Sequence, residues 1–261
     1  YRLLVIVFNL IFKRFDVILI QKQILPFPLL KLTKRAKLIY DIDDAVYLLN
    51  ELKFTQFVEK MDEVIVSTPF LQKKLAVWEI ESRIIHSSVH IQELGVLRNN
   101  KVVTGSFEIV WIGSPSTAKY LQILERPLAR LALEFNIVLK VLGTRNLKID
   151  GVNVVEIPWS LSSEQLALAS SNIGVMPLED TEWETMKGGY KLILYMSHGL
   201  PVVASPVGIN TLIVKEDCGF LASTEEEWYN CIKELIVAEN IRRKFSENGF
   251  QTVVDEFSYQ L

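Results

Sequence analysis

Short aliphatic runs alternate with stretches of helical spacing along almost the whole chain, and this rhythm constrains the fold more than any other feature. The runs cover residues 16–20, 37–40, 63–66, 107–112, 137–142, 152–157, 173–176 and 201–204. They show little polar alternation, as strands buried on both faces of a parallel sheet do. Between them, residues 116–135 and 162–169 carry apolar side chains at helical spacing, and residues 1–12 read as the end of a helix. Strands and helices in this order predict an α/β fold built from doubly wound parallel sheets.

With 261 residues the chain has room for one large domain or two of ordinary size. The rhythm breaks over residues 92–106, where Asn99, Asn100, Thr104, Gly105 and Ser106 gather, so a boundary is expected there. Residues 1–100 then form a partial first domain, 101–248 a complete doubly wound unit, and 249–261 a tail with a helix start. The first block has too few strands for a full domain, and the chain reads as a fragment lacking its amino-terminal elements. Apolar residues at 49% and charged residues at 23% exclude disorder and a disulfide scaffold. The mean hydropathy of +0.23 raises the question of a membrane span. The longest apolar stretch, 3–12, contains Asn9 and stops at Lys13 and Arg14, short of the roughly 18 residues a span requires. It lacks the basic lead and small-residue cleavage site of a signal peptide. Cys218 and Cys231 have neither metal nor redox spacing, which predicts a reducing, cytoplasmic setting.

Charge is unevenly spread. Residues 1–40 hold Arg2, Lys13, Arg14, Lys22, Lys31, Lys34, Arg35 and Lys37 against Asp16 alone, an excess of +7 in a chain of net charge −3. Such an excess suits a solvated face, or a surface that meets phosphate or anionic lipid. Leu25, Phe27, Leu29, Leu30 and Leu32 interleave with Lys22, Lys31, Lys34 and Arg35, and Pro26 and Pro28 argue against a continuous helix. Two readings stay open: an apolar loop with basic flanks at the inner face of a membrane, or leucines that fill a core. Nothing indicates a nucleic-acid partner.

The most informative segment is 180–210, DTEWETMKGGYKLILYMSHGLPVVASPVGIN. A helix is expected to start near Gly188 and Gly189 and to stop at Gly199, and Pro201 opens a strand running into the loop Ser205–Pro206–Val207–Gly208. In doubly wound sheets ligands bind outside the carboxyl ends of strands, where helix amino termini also point. Gly188 and Gly189 would let a phosphate approach free backbone amides, and Lys187 and Lys191 flank them. An ordinary glycine loop with surface lysines would carry the same letters.

MKGGYKLILYMSHGLPVVASPVGIN resembles the donor-binding segment of the retaining family 4, or group 1, glycosyltransferases of the GT-B fold. FDVILIQKQILP and YDIDDAVY are similar to amino-terminal-domain strands of a bacterial subgroup, and EIVWIGSPSTAKYL to the first strand and loop of the nucleotide domain. SNIGVMPLED and CGFLAS match later elements in the right order. The resemblance implies two Rossmann-like domains, the first incomplete here, with the nucleotide sugar held by the second and the acceptor by the first. It implies a transferase that passes a sugar from a nucleotide-diphosphate sugar to a saccharide or lipid-linked acceptor with retention, as in making cell-envelope polysaccharide. Donor contacts then fall on Gly113, Ser114, Lys119, Glu182, Glu184, Lys187, Gly188, Gly189, Tyr190, Lys191, Ser205 and Gly208. The family carries two glutamates in the donor segment, the second five residues before the helix-ending glycine. Met186 and Leu194 stand at those positions, and Glu182 or Glu184 is the nearest substitute for the first. Of the arginine and lysine that follow the strand-one glycine in the family, only Lys119 is matched.

Asp41, Asp43 and Asp44 close a strand where a loop faces a cleft, and they are the weak candidates for catalysis. D-x-D spacing suits a divalent cation, an acceptor or sugar contact, or a capping turn. The GT-B resemblance implies no metal and no resident cofactor, because cations and helix dipoles serve the leaving diphosphate. His86, His90 and His198 have no serine or cysteine partner at telling spacing, and no Walker loop, G-x-G-x-x-G or zinc spacing occurs. Trp111, Trp159 and Trp183 lie near strand ends, where they border a cleft or fill a core. The alternatives to a transferase are a nucleotide-sugar or phosphate-binding module without turnover, and a sugar-nucleotide epimerase or phosphorylase on the same fold.

Overall fold

The structure, a computed structural model, describes residues 2–33, 36–91 and 105–259. The expected boundary at 92–106 therefore lies outside the described residues except for Gly105 and Ser106, as do Lys34 and Arg35 of the basic stretch. The chain divides into two compact units. The first comprises the residues up to His86 together with Thr181–Gly188, and the second comprises Ser87–Asp180 and everything from Gly189 onward.

The first unit is a four-stranded parallel sheet in the order β1 (Val17–Gln21), β2 (Lys37–Ile42), β3 (Glu63–Val66), β4 (Arg83–Ile84). Its central residues pair Ile20 with Tyr40 and Tyr40 with Val64. Tyr40, Phe54, Phe57, Val66, Leu71 and Leu75 bury completely or nearly so, and Met186 from the inserted segment joins this core. Helix Glu51–Val58 starts where the Asn50 side chain accepts from the Lys53 amide. Helix Pro69–Ala76 starts where Thr68 accepts from Leu71, with Pro69 at a position whose N–H would have no helical partner. Leu29 is buried, and Ile24, Leu25, Phe27 and Leu30 pack against the same core. The leucines of the proline-rich stretch thus fill the core, and the open apolar loop entertained from the sequence is not what forms. Helix Arg2–Phe12 is present as expected, with Phe8, Ile11 and Phe12 exposed.

The second unit contains β5 (Val89–His90), β6 (Phe107–Ile112), β7 (Ile137–Leu142), β8 (Asn153–Ile157), β9 (Ile173–Met176), β10 (Val202–Ala204), β11 (Gly219–Leu221) and β12 (Ser258–Tyr259). Six of these make a parallel sheet in the order β11-β10-β9-β6-β7-β8, and β5 pairs with β12 apart from it. The sheet grows from β6 through β7 to β8, then resumes beside β6 with β9, so β6 and β9 flank the switch point of a doubly wound fold. Trp111, Leu121, Leu128, Leu139, Trp228 and Ile232 build its core. The helical stretch 116–135 divides into a tight turn over Ala118–Leu124 and an α-helix Glu125–Glu134. Pro127 explains the restart, because a residue without an N–H is tolerated only in a helix's first turn. The last helix runs Glu239–Glu256 through position 249, where a tail was expected. Gly249 does not end it: its bare face lies within 4 Å of Met196 and Cys218, so the glycine permits close packing of helices.

Candidate functional site

At the carboxyl end of β6 the chain turns at Gly113, whose N–H reaches back to the Leu142 carbonyl at 3.0 Å. A β-carbon there would stand 2.3 Å from the Trp111 ring and 2.7 Å from Thr117 Oγ1. Glycine is therefore demanded by packing, and the loop that follows is closed by its own hydroxyls. Ser114 N–H donates to Thr117 Oγ1 at 3.1 Å, and that hydroxyl donates to the Ser114 carbonyl at 3.0 Å. Lys191 also lies against the Trp111 indole, its Nζ 4.9 Å from a ring centroid. Gly113 and Lys191 thus share one buried tryptophan at the switch point.

Lys191 belongs to helix Tyr190–Ser197, which begins at Gly189 in the left-handed region, φ +69°. Among the described residues no side chain caps this start, and no acid sits in its first turn. The amide end of the helix thus keeps its partial positive charge. Tyr195 on the same helix fixes the far end of β6, accepting from the Ile112 N–H at 2.8 Å. Its ring occupies the space that Gly174 leaves on β9. Burial, with the Glu164 and Tyr259 charges behind it, raises the Tyr190 hydroxyl above its usual range. Lys119, in the turn after β6, pairs at 3.5 Å with Glu179, in the loop after β9. Ser205 is buried; its hydroxyl accepts from the Leu178 N–H at 2.9 Å and its carbonyl accepts from Asn210 Nδ2 at 3.0 Å. It ties the loops after β9 and β10 together, and Gly208, φ +54°, turns the chain into the short helix Asn210–Ile213.

The remaining residues expected at the donor lie in the first unit, on the inserted segment. Glu182 accepts from the Tyr47 hydroxyl and pairs with Lys74, both at 2.9 Å. Lys74 first, then Tyr47, holds its carboxyl below the usual range. Lys74 also lies 5.1 Å from the Tyr47 ring and 5.2 Å from the Trp78 ring. Glu184 is buried and pairs with Lys187 at 3.0 Å. Met186 is buried in the core of this unit, and Leu194 is buried in the second, so neither offers a carboxylate substitute.

The acidic triplet gathers around Lys22, which adopts φ +58°. Its ammonium pairs with Asp43 at 2.8 Å and Asp44 at 3.0 Å, while Gln21 donates to Asp41 at 3.0 Å. Burial lowers the affinity of Lys22 for its proton, but the hydrogen bonds to Asp43 and Asp44 outweigh it and hold the ammonium above its usual value. Burial pushes Asp41 upward. The cation that occupies the triplet is thus the chain's own lysine. Among the described residues no three acidic, imidazole or thiol groups converge as a metal cage. His86 and His198 rest on the backbone carbonyls of Ser67 and Leu194, and His90 lies against the Tyr259 ring. Thr117, Tyr195 and Glu179 were not marked from the sequence: Tyr195 and Glu179 act on Ile112 and Lys119, far from them in the chain, and Thr117 closes its own loop through Ser114.

A doubly wound Rossmann-like unit whose switch point carries a glycine turn, a lysine on tryptophan and an open helix start is the class this arrangement defines. The pattern of the family "Glycosyl transferases group 1" matches residues 106–237, and the chain belongs to that family. No curated protein sequence matches it. A glycosyltransferase from Rickettsia africae ESF-5 superposes with a TM-score of 0.72 at 15% identity, over 93% of this chain and 73% of that one. Anabaena HepE in complex with UDP superposes with a TM-score of 0.71 at 16% identity, over 98% and 78%. S. aureus TarM, a mutant in complex with fondaparinux, α-GlcNAc-glycerol and UDP, gives 0.66 at 16% identity, over 87% and 49%. The chain thus spans about half the length of TarM and about three quarters of HepE. The parallel-sheet α/β architecture is that of GT-B glycosyltransferases.

Proposed function

We propose that the second unit holds the diphosphate of a nucleotide sugar at the β6–β9 switch point, and that the chain passes the sugar to an acceptor hydroxyl with retention of configuration. The observation that carries this reading is the convergence of the Gly113 turn, Lys191 on Trp111 and the uncapped Gly189 helix start. Amides at a helix start and a fixed ammonium offer charge where a leaving diphosphate develops it. Lys119 would add to this field once a diphosphate competes with Glu179. No metal enters this account, since lysines and the helix dipole supply the positive charge. Asp41, Asp43 and Asp44 are the candidates to meet the acceptor from the first unit, saccharide or lipid-linked. Peripheral membrane contact rests on Phe8, Ile11, Phe12 and Phe15 beside Lys13 and Arg14, all exposed. Vesicles with and without anionic lipid, at low and high salt, test that contact.

A second reading has one observation in its favour. Buried Met186 and Leu194 replace the family's two glutamates, which suits a module that binds nucleotide sugar without turning it over. Incubating the chain with radiolabelled nucleotide sugars and acceptor extract separates the two. Label moving into extract, dependent on the chain, supports transfer. Binding without any label moving supports the module.

A further inference from the structure

We propose that the amino-terminal end of the first unit's sheet binds one single-chain anionic amphiphile, its head on a rim of cations and its tail on an apolar floor. Asp16 and Lys37 stand at the starts of β1 and β2, and Asp62 just before β3. These residues border a cavity of about 770 Å³ that also takes in Phe27, Leu30 and Leu38. A second cavity of about 460 Å³ shares Asp16 and Thr33 with it and reaches Leu10, Lys13 and Arg14. Both volumes are in the range of small-molecule pockets. Lys22 and the acidic triplet lie at the carboxyl ends of the same strands. A full strand length, at about 3.3 Å per residue, separates the two ends. The cavities are therefore distinct from the acceptor candidates and lie wholly within the first unit.

Phe27 and Leu30 are half-buried, packed against the core of the unit and bordering the larger cavity. Leu38 and Leu10, both buried, extend the apolar lining. The polar groups among them are already engaged. Thr33 Oγ1 donates to the Leu30 carbonyl and the Asp62 carboxylate accepts from the Leu38 N–H, both at 2.7 Å. The rim is cationic. Lys31, Lys37 and Lys60 border the larger cavity and Lys13 and Arg14 the smaller, against Asp16 and Asp62 alone. All five cations are exposed. Lys37 pairs with Glu63, but among the described residues no carboxylate pairs with Lys13, Arg14 or Lys31. A small anion would leave the floor in water, and a neutral lipid would make no use of the rim. An alkyl phosphate or a fatty carboxylate satisfies both, so that is the ligand class.

The test titrates decyl phosphate, hexyl phosphate and inorganic phosphate by calorimetry, the first two below their micelle concentrations, into the unaltered chain and Lys31→Glu/Lys60→Glu. Both lysines are exposed, and circular dichroism melts confirm that the variant is folded. One decyl phosphate is expected to bind per chain, with hexyl phosphate about tenfold or more weaker because fewer methylenes leave water. Inorganic phosphate is expected to stay below detection, and the charge reversal to weaken decyl phosphate by about tenfold. Equal affinity for the two alkyl phosphates overturns the inference, since no tail would then be held. Unchanged affinity in the variant overturns it too, since the head would lie elsewhere. Displacement by excess UDP does the same, because the ligand would then occupy the diphosphate position proposed above. Binding to anionic vesicles with none to monomeric decyl phosphate would make this end a surface contact and also overturns it.

Discussion

A β-carbon at position 189 would stand 2.5 Å from Ile213 Cδ1 and 2.8 Å from Ile209 Cγ2, on a backbone already in the left-handed region. Gly189→Ala is therefore expected to destabilise the second unit by about 1–3 kcal/mol, read as a lower melting temperature. The sequence marked this glycine for a different reason, the close approach of a phosphate. Its packing partners lie 20 and 24 residues along the chain, beyond any local pattern. The lysines show the same limit. Lys187 reads as a free phosphate ligand in sequence, yet it neutralises the buried carboxylate of Glu184. Lys187→Ala removes that pairing and is expected to cost about 3 kcal/mol or less, since the lysine is itself partly exposed. Glu184→Gln added to it should recover part of the loss, and a double-mutant cycle of melting curves measures the coupling. No recovery would show that the pair is not what stabilises the segment.

Elements were legible in proportion to their burial. Strands β3, β6, β7 and β9 fall where aliphatic runs placed them, because strands with most positions buried leave little room for polar residues. Strands β4, β5, β11 and β12 are two or three residues long and leave no period to detect. The turn that interrupts 116–135 was written in Pro127, but apolar spacing on either side hid it. The inserted segment Thr181–Gly188 was read as part of the donor loop, whereas Tyr47 and Lys74 fasten it to the first unit through Glu182. That fastening titrates. Glu182 is held below the usual glutamate value of 4.5, so its contribution is complete above that value and is lost as pH falls through the lowered one. Hydrogen exchange of amides 181–188, corrected for intrinsic rate, should accelerate below about pH 4.5 in the unaltered chain and change less in Glu182→Gln. Because both partners are partly exposed, the effect is small and fades with salt. Identical profiles for the two chains would remove the fastening role.

Strand and helix alternation on both sides of residues 92–106 was legible in the whole molecule. Only the second unit is doubly wound, however, since the first runs β1 to β4 without a reversal. Membership of the units was not legible, since an excursion of eight residues into another unit depends on tertiary partners such as the buried Met186. That excursion sets an expectation for the separated pieces. Residues 87–261 contain every strand of the six-stranded sheet and should melt cooperatively alone. Residues 1–86 lack Met186 and the Glu182 contacts and should not, and a cooperative melt of that piece would contradict the division. The donor site at the β6–β9 switch point is the central claim, and one titration tests it most directly. UDP, GDP and ADP are titrated calorimetrically into the chain in EDTA, with Lys191→Ala alongside. Saturable one-to-one binding of at least one of them in EDTA, weakened by about 1–3 kcal/mol in a folded Lys191→Ala, is the predicted result. Binding that vanishes with EDTA, or that ignores the loss of Lys191, would contradict it.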